Sequence, residues 1–189
     1  MDGISGILSA FGLSASAGLN AYLPLLIVAL LGRFTDSITL TKPWDTLESW
    51  WVIGALLLLG AIEFFADKIP AINHINDVVQ TFVRPTAGAV LFAASTGAVG
   101  EVHPAVALIA GLLVAGSVHA VKAAAVRPAV TAATGGAGNI PVSILEDVLA
   151  TILSILAVVI PALIAALIII VTAFVVWWLW RRANAARPD

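Results

Sequence analysis

Long apolar runs set the limits on what this chain can become. Ile4–Leu31 contains no charged residue, and Trp50–Ala66, Pro85–Val99, Pro104–Val121, Val142–Ile160 and Pro161–Trp180 carry Glu63, His119, Glu146 and Asp147 as their only charged or histidine side chains. A bilayer core takes about 20 apolar residues per helix, with a range of roughly 17 to 25. Ile4–Leu31 is too long for that unless tilted or broken, and Asn20 and Pro24 offer a break. The composition agrees: 61 % of the 189 residues are hydrophobic and 11 % charged, where a soluble domain is about half apolar and a quarter charged. A body this small cannot hide so much apolar surface from water. The implied fold class is an all-α integral membrane protein of about six transmembrane helices forming one domain over residues 1–189, with the lipid bilayer as its main partner. Nine Lys+Arg against eleven Asp+Glu leave no basic field for nucleic acid. The absence of cysteine excludes disulfides and thiolate chemistry. No Lys or Arg precedes the first apolar run, so the start reads as a retained span and not as a cleaved signal.

The connections carry most of the polar residues. Phe34–Ser49 reads as a surface loop. Asp67–Arg84 is too polar to span, yet Ile69, Ile72, Ile75, Val78, Val79 and Phe82 recur at helical spacing, which predicts an amphipathic helix that is interfacial or re-entrant. Ala123–Pro141 includes a glycine-rich stretch that does not suit a regular helix. Placing the N-terminus, Asp67–Arg84, Lys122–Pro141 and the C-terminus on one side collects most of the Lys and Arg there, which predicts both termini to be cytoplasmic. Trp177, Trp178 and Trp180 before Arg181 and Arg182 form an aromatic stop at that face.

A weak internal repeat is also legible. Gly54–Ala66 lies over Ala110–Lys122, with Glu63 over His119, and each unit leads to an Ile-Pro pair and then to Asp77 or Asp147. That register makes two parallel units. A second register, which sets Ser16, Gly18 and Pro24 over Ser95, Gly97 and Pro104, makes two inverted halves, a transporter habit.

An ionised side chain facing lipid is costly on any scale, so the polar residues inside the runs must face protein, water or a ligand. Glu63 and Asp67 share one helix face. They read either as solvated acids at a helix end or as a proton or cation site. His119 and Lys122 share a face of the fourth span, as a satisfied histidine with a snorkelling lysine or as the basic counterpart of the acids. Asn73, Asn76 and Asp77 form one polar stripe, and Ser143, Glu146 and Asp147 another at the same spacing, with Asn139 just before it. Ser143 and Glu146 match a capping box, and capping is compatible with building a site. Arg84-Pro85 and Arg127-Pro128 each set a fixed charge before a proline. Interface topology accounts for them, and pairing with the carboxylates or holding an anionic substrate is the other reading. Asn20, beside Gly18 and Pro24, could present a freed carbonyl to a ligand or bond another helix. The candidate binding residues are therefore Asn20, Glu63, Asp67, Asn73, Asp77, Arg84, His119, Lys122, Asn139, Ser143, Glu146 and Asp147. Glu63, Asp77 and Asp147 are expected to converge, with Arg84 or Lys122 as counter-charge. No nucleotide-binding glycine loop, metal-ligand cluster or catalytic serine–histidine pair occurs, so no enzyme activity, cofactor or metal is expected.

In FGLSASAGLNAYLPLL, EFFADKIPAINHINDVVQTFVRPTAGA and GGAGNIPVSILEDVLA the chain resembles a family of small bacterial multi-spanning membrane proteins catalogued only as a domain of unknown function. The resemblance covers nearly the whole chain and rests on Asp67, Lys68, Pro70, Asp77, Arg84 and Pro85 together with Asn139, Ser143, Glu146 and Asp147. It implies the architecture and no chemistry. From the residues themselves, the expected function is a small secondary transporter or permease for a small solute or ion, proton- or cation-coupled and a homo-oligomer. The competing expectation is a membrane scaffold that binds a partner at the cytoplasmic face.

Overall fold

The computed structural model describes residues 3–68, 70–97 and 102–185, and they contain no strand. The helices are α1 (Gly3–Leu19), α2 (Tyr22–Phe34), α3 (Trp50–Ala66), α4 (Pro70–Gly97), α5 (Pro104–Val121), α6 (Arg127–Thr134), α7 (Asn139–Val159) and α8 (Pro161–Ala185). A five-residue π-helix, Lys122–Val126, joins α5 to α6, and a short 3-10 turn covers Trp44–Glu48.

α1 is the central helix and packs on α4, α5, α7 and α8. Apart from Leu13, its buried side chains are small: Ser9, Ala10, Ser14, Ser16 and Ala17, with Gly6, Gly12 and Gly18. Small residues let helices approach closely, and hydroxyls then bond across the contact. Ser9 Oγ donates to the Ala157 carbonyl at 2.7 Å and Ser14 Oγ to the Gly88 carbonyl at 2.8 Å. α4 and α5 approach most closely where Gly88 faces Gly111.

The contacts fix the helix directions. Ser9 meets Ala157 and Asn20 meets Asp147, so α1 and α7 are antiparallel. Tyr22 lies beside Gly60, while Arg33 Nη1 donates to the Glu48 carbonyl and Phe34 stacks edge-on with Trp50. Hence α2 runs antiparallel to α3. The first apolar run is thus a reversal at Asn20-Ala21 and not one tilted span. Asn20 Oδ1 accepts from the Tyr22 and Leu23 amides, each at 3.0 Å, which caps the returning helix. α4 returns antiparallel along α5, with Arg84 beside His119 and Asp77 beside Arg127. α8 runs back alongside Lys122 and Glu146.

Among the described residues seven helical passes therefore run between the two ends of the bundle, where about six were expected, and Gly3 and Ala185 lie at opposite ends. This corrects the expectation of both termini on one side, because the reversal at Asn20 adds a pass. The boundary expected at Arg84-Pro85 is also corrected. α4 is continuous from Pro70 to Gly97 with Pro85 inside it. An interior proline forfeits one backbone bond, and the Pro85 ring faces Gly116 of α5, where a Cβ would sit in ordinary van der Waals contact with it. Nor is the first half of α4 a separate interfacial helix: Val78, Val79 and Phe82 point outward while Gln80 and Arg84 are buried. The loop expected over Lys122–Pro141 shrinks to a turn. Gly135 takes a left-handed φ of 61°, which ends α6, and α7 starts at Asn139 with Pro141 in its first turn, where proline is tolerated. Phe34–Ser49 is not wholly superficial, since Ile38 and Leu40 are buried in the core that holds Leu13, Ala17 and Val28.

Pro104–Thr134 and Asn139–Val159 are long and apolar enough to cross a membrane, and Gly3–Leu19, Tyr22–Phe34, Trp50–Ala66 and Ile169–Trp178 are shorter apolar helices. Large apolar side chains cover the outer faces, from Trp51, 91 % exposed, to Phe82 and Ile169. Most of the charged residues on these helices point inward. Contiguous apolar surface on this scale is foreign to a soluble monomer and fits a membrane protein.

Candidate functional site: a buried ion-pair network

The charged side chains meet at one level of the bundle, where α1 turns into α2, α3 ends and α7 makes its second turn. Arg84, fully buried, places Nη2 3.0 Å from Glu63 Oε1 and 3.9 Å from Asp67 Oδ2. Arg127 reaches Asp67 at 3.0 Å, Asp77 at 3.4 Å and Glu146 at 3.6 Å. Lys122 Nζ lies 2.7 Å from Glu146 Oε2 and donates to the Leu19 carbonyl at the end of α1. At the margin, Lys68 lies 3.6 Å from Asp147 Oδ2, and Asn20 Nδ2 donates to Asp147 Oδ1 at 2.9 Å. Ser143 Oγ and Asn76 Nδ2 complete the shell of Asp67. Ser143 and Glu146 therefore do not cap α7, which begins a turn earlier. They face the interior.

The proton on His119 is fixed by its neighbours. Arg84 Nη1 lies 3.3 Å from Nδ1 and can only donate, so Nδ1 accepts. The ring is then neutral with its hydrogen on Nε2, which donates to Thr81 Oγ1 at 3.2 Å, and Thr81 donates to the Asp77 carbonyl at 2.8 Å. A directed chain of donors thus leads from the buried guanidinium toward the exposed Thr81. Five atoms in this region are buried without a hydrogen-bond partner: Glu63 Oε2, Gln80 Oε1, Arg84 Nε, Glu146 Oε2 and Asp147 Oδ2, of which the last two are held in ion pairs with Lys122 and Lys68. Gln80 is one turn before Arg84 on the same face of α4, and its side chain interacts with the Tyr22 hydroxyl of α2.

Beside the network lies a cleft of about 510 Å³, lined by Val118, Val121 and Val126 on one wall, Leu145 and Leu149 on another, and Val171 and Val175 of α8 on the third. Lys122 and Glu146 are the charged residues lining it. Among the described residues no three His, Asp or Glu side chains are grouped to hold a metal ion.

The structure brings together Asn20, Glu63, Asp67, Asp77, Arg84, His119, Lys122, Ser143, Glu146 and Asp147. Asn139 is elsewhere: its amide bonds Thr131 at 2.9 Å across the α6–α7 turn. The side chain of Asn73 lies outside the described residues. Sequence reasoning left Arg127, Lys68, Asn76, Gln80, Thr81 and Tyr22 out of the candidate set. Arg127 is the costliest omission, since it bridges three carboxylates. Its segment reads as an irregular loop, which assigns it no face, so pairing with the carboxylates stays only one of its two readings.

Residues 7–182 match the family described as Domain of unknown function (DUF4126). The chain belongs to this family. The match takes in every residue of the DUF4126 network, from Asn20 to Asp147. No curated protein and no solved structure matches the chain.

Proposed function

We propose that this protein is a small secondary transporter of a bacterial cytoplasmic membrane. It moves a small solute or ion with a proton or cation as partner, and the buried network holds the coupling ion. One observation carries this reading: nine charged side chains from five helical segments sit together inside a body whose outer faces are apolar. Stability alone does not call for them, because replacing buried ion pairs by apolar residues of similar size is often neutral or stabilising. Ionisable groups at membrane depth mark ion and substrate paths. By helix rise, Glu63 lies about 20 Å along α3 from Trp50, within the roughly 30 Å of a bilayer core. The cleft between α5, α7 and α8 supplies a route for a solute to Lys122 and Glu146. With Trp177, Trp178 and Trp180 as an interfacial belt and Arg181 beyond them, the network end of the bundle faces the cytoplasm and Gly3 faces the other side.

Reconstitution tests the reading. Purified protein in proteoliposomes is screened for thermal stabilisation by solutes with pH and Na+ varied, and hits are followed as flux driven by a proton or Na+ gradient. Flux by the wild type that Glu63→Gln and Asp147→Asn abolish, with their thermal unfolding retained, is the expected result. A scaffold that only binds a partner protein gives no flux under either gradient.

A further inference from the structure

The charges of the network do not balance. Among the described residues it holds five carboxylates, Glu63, Asp67, Asp77, Glu146 and Asp147, and four cations, Lys68, Arg84, Lys122 and Arg127, around a neutral His119. One negative charge is left over, and an uncompensated charge in a dry interior is prohibitive.

The partners of each acid decide where the balance is made. Asp67 receives Arg127, Arg84, Ser143 and Asn76 and is held as a carboxylate. Glu146 receives Lys122 and Arg127. The side chains of Asp77 and Asp147 are 29 % and 14 % exposed, so each reaches the margin of the cluster. Glu63 differs from all four in holding a buried oxygen that has neither a hydrogen bond nor an ion pair, whereas Glu146 Oε2 and Asp147 Oδ2 face Lys122 and Lys68. Its side chain is 1 % exposed, its Oε1 shares Arg84 with Asp67, and its Oε2 has no partner. A hydrogen on Oε2 makes Glu63 a neutral acid and removes the buried, unpaired charge.

We propose that Glu63 is the proton-carrying group of this site and that the coupling ion is a proton. With the proton bound on Oε2, Glu63 is a neutral acid and the network carries no net charge. When the proton leaves to solution, Glu63 becomes a carboxylate on Arg84 and the network carries one negative charge. The groups that face Glu63 are Arg84 from α4, Asp67 at the end of its own helix, Tyr22 from α2 and Lys122 from the π-helix. Sodium does not suit the same place. The Arg84 guanidinium, 3.0 Å from Oε1, would lie against it, and a hard cation wants a shell of oxygens and no neighbouring cation. The word coupling rests on the transport reading above; the binding of the proton does not.

The test is infrared difference spectroscopy on the full chain in lipid, stepped between neutral and alkaline pH, which reads the protonated-carboxyl stretch. The wild type is expected to show that band and to lose it on the alkaline step. Glu63→Gln should remove it, Glu63→Asp should keep it at a shifted frequency, and Asp45→Asn, in the 3-10 turn outside the network, should leave it in place. A band missing from the wild type, or one unchanged in Glu63→Gln, overturns the proposal. Loss of the band on adding Na+ at constant pH also overturns it, in favour of a cation site. Should Glu63→Gln fail to fold, Glu63→Asp decides: an unshifted band overturns the proposal. Solute flux is not part of the reading, so a band assigned to Glu63 in a protein that moves no solute sinks the transporter and leaves the proton site standing.

Discussion

Lys122 and Arg127, five residues apart, bind one carboxylate: Nζ of the first lies 2.7 Å and Nη2 of the second 3.6 Å from Glu146 Oε2. In an α-helix two such residues face directions about 140° apart. The turn between them is a π-helix, closed by the Arg127 amide on the Lys122 carbonyl, and an i→i+5 repeat brings residues five apart back to one face. π-turns often mark functional sites.

Deleting Ala124 should therefore restore an α-helical path and swing Arg127 away from Glu146, Asp67 and Asp77. Removing one partner of a buried pair costs about 3–5 kcal/mol, and Arg127 serves three. The expected result is a large drop in the thermal unfolding midpoint in detergent. An unchanged midpoint would mean that the π-turn does not set the network.

Arg84 and Glu63 should behave as a unit. Arg84→Met removes the donor to Glu63 Oε1 and one of the two arginines on Asp67 and is expected to destabilise by about 3–5 kcal/mol. Glu63→Gln alone should cost less, and the double variant should lose less than the sum of the two. A double-mutant cycle on unfolding midpoints reads the coupling. Strict additivity would show that the 3.0 Å contact carries no energy.

The α4–α5 contact has no room for a methyl group. A Cβ at Gly111 would meet the Gly88 carbonyl and would lie 2.6 Å from Phe92 Cβ, whereas a Cβ at Gly54 meets nothing within 4 Å. Gly111→Ala is expected to destabilise by about 1–3 kcal/mol through overpacking. Gly54→Ala should be neutral or stabilising, since alanine favours the helix by roughly 1 kcal/mol. Equal effects at both sites would contradict the close approach.

The reversal at Asn20 puts Gly3 and Ala185 at opposite ends of the bundle. A protease-cleavable tag ahead of Gly3 and another after Ala185 should be cut from opposite faces of oriented membrane vesicles. Cutting of both from one face would restore the even number of passes.

How much of this could be read from the sequence differs by residue. Helicity and apolar outer faces follow from composition and run length, and the inward acids follow from the cost of a carboxylate in lipid, so Glu63, Asp67 and Asp147 were accessible to reasoning. Where α1 ends was also visible, because Asn20 interrupts an apolar run; that the chain reverses there depends on which helices pack on each arm, and no local pattern encodes it. Pro85 and Gly135 mislead in opposite ways. A proline that reads as a boundary lies inside a continuous α4, and a glycine-rich stretch that reads as a long loop needs only Gly135 to stop α6. Arg127 was legible only as one of two readings, since its segment reads as an irregular loop and interface topology accounts for a charge there.

Asn20 separates two accounts of the α1–α2 turn. It is 2 % exposed; its Oδ1 caps α2 through the Tyr22 and Leu23 amides, while its Nδ2 donates to Asp147. If capping were its whole role, Asn20→Asp would be harmless, because aspartate caps as well as asparagine, and Asn20→Ala would cost about 1 kcal/mol. The network makes the opposite ranking. Asn20→Asp removes the only donor in that contact and sets a second carboxylate against Asp147, where the Asn20 amide now stands 2.9 Å away, so it should be the more damaging of the two. Its penalty should shrink as pH falls, because protonating either carboxyl restores a donor between them. The exchange Asn20→Asp with Asp147→Asn keeps one donor, one carboxylate and the cap, and it should recover most of the stability lost in the single variant. Unfolding midpoints of the four proteins across a pH series check the order. Asn20→Asp matching the wild type at every pH would leave the turn with a cap and no tie to the charged network.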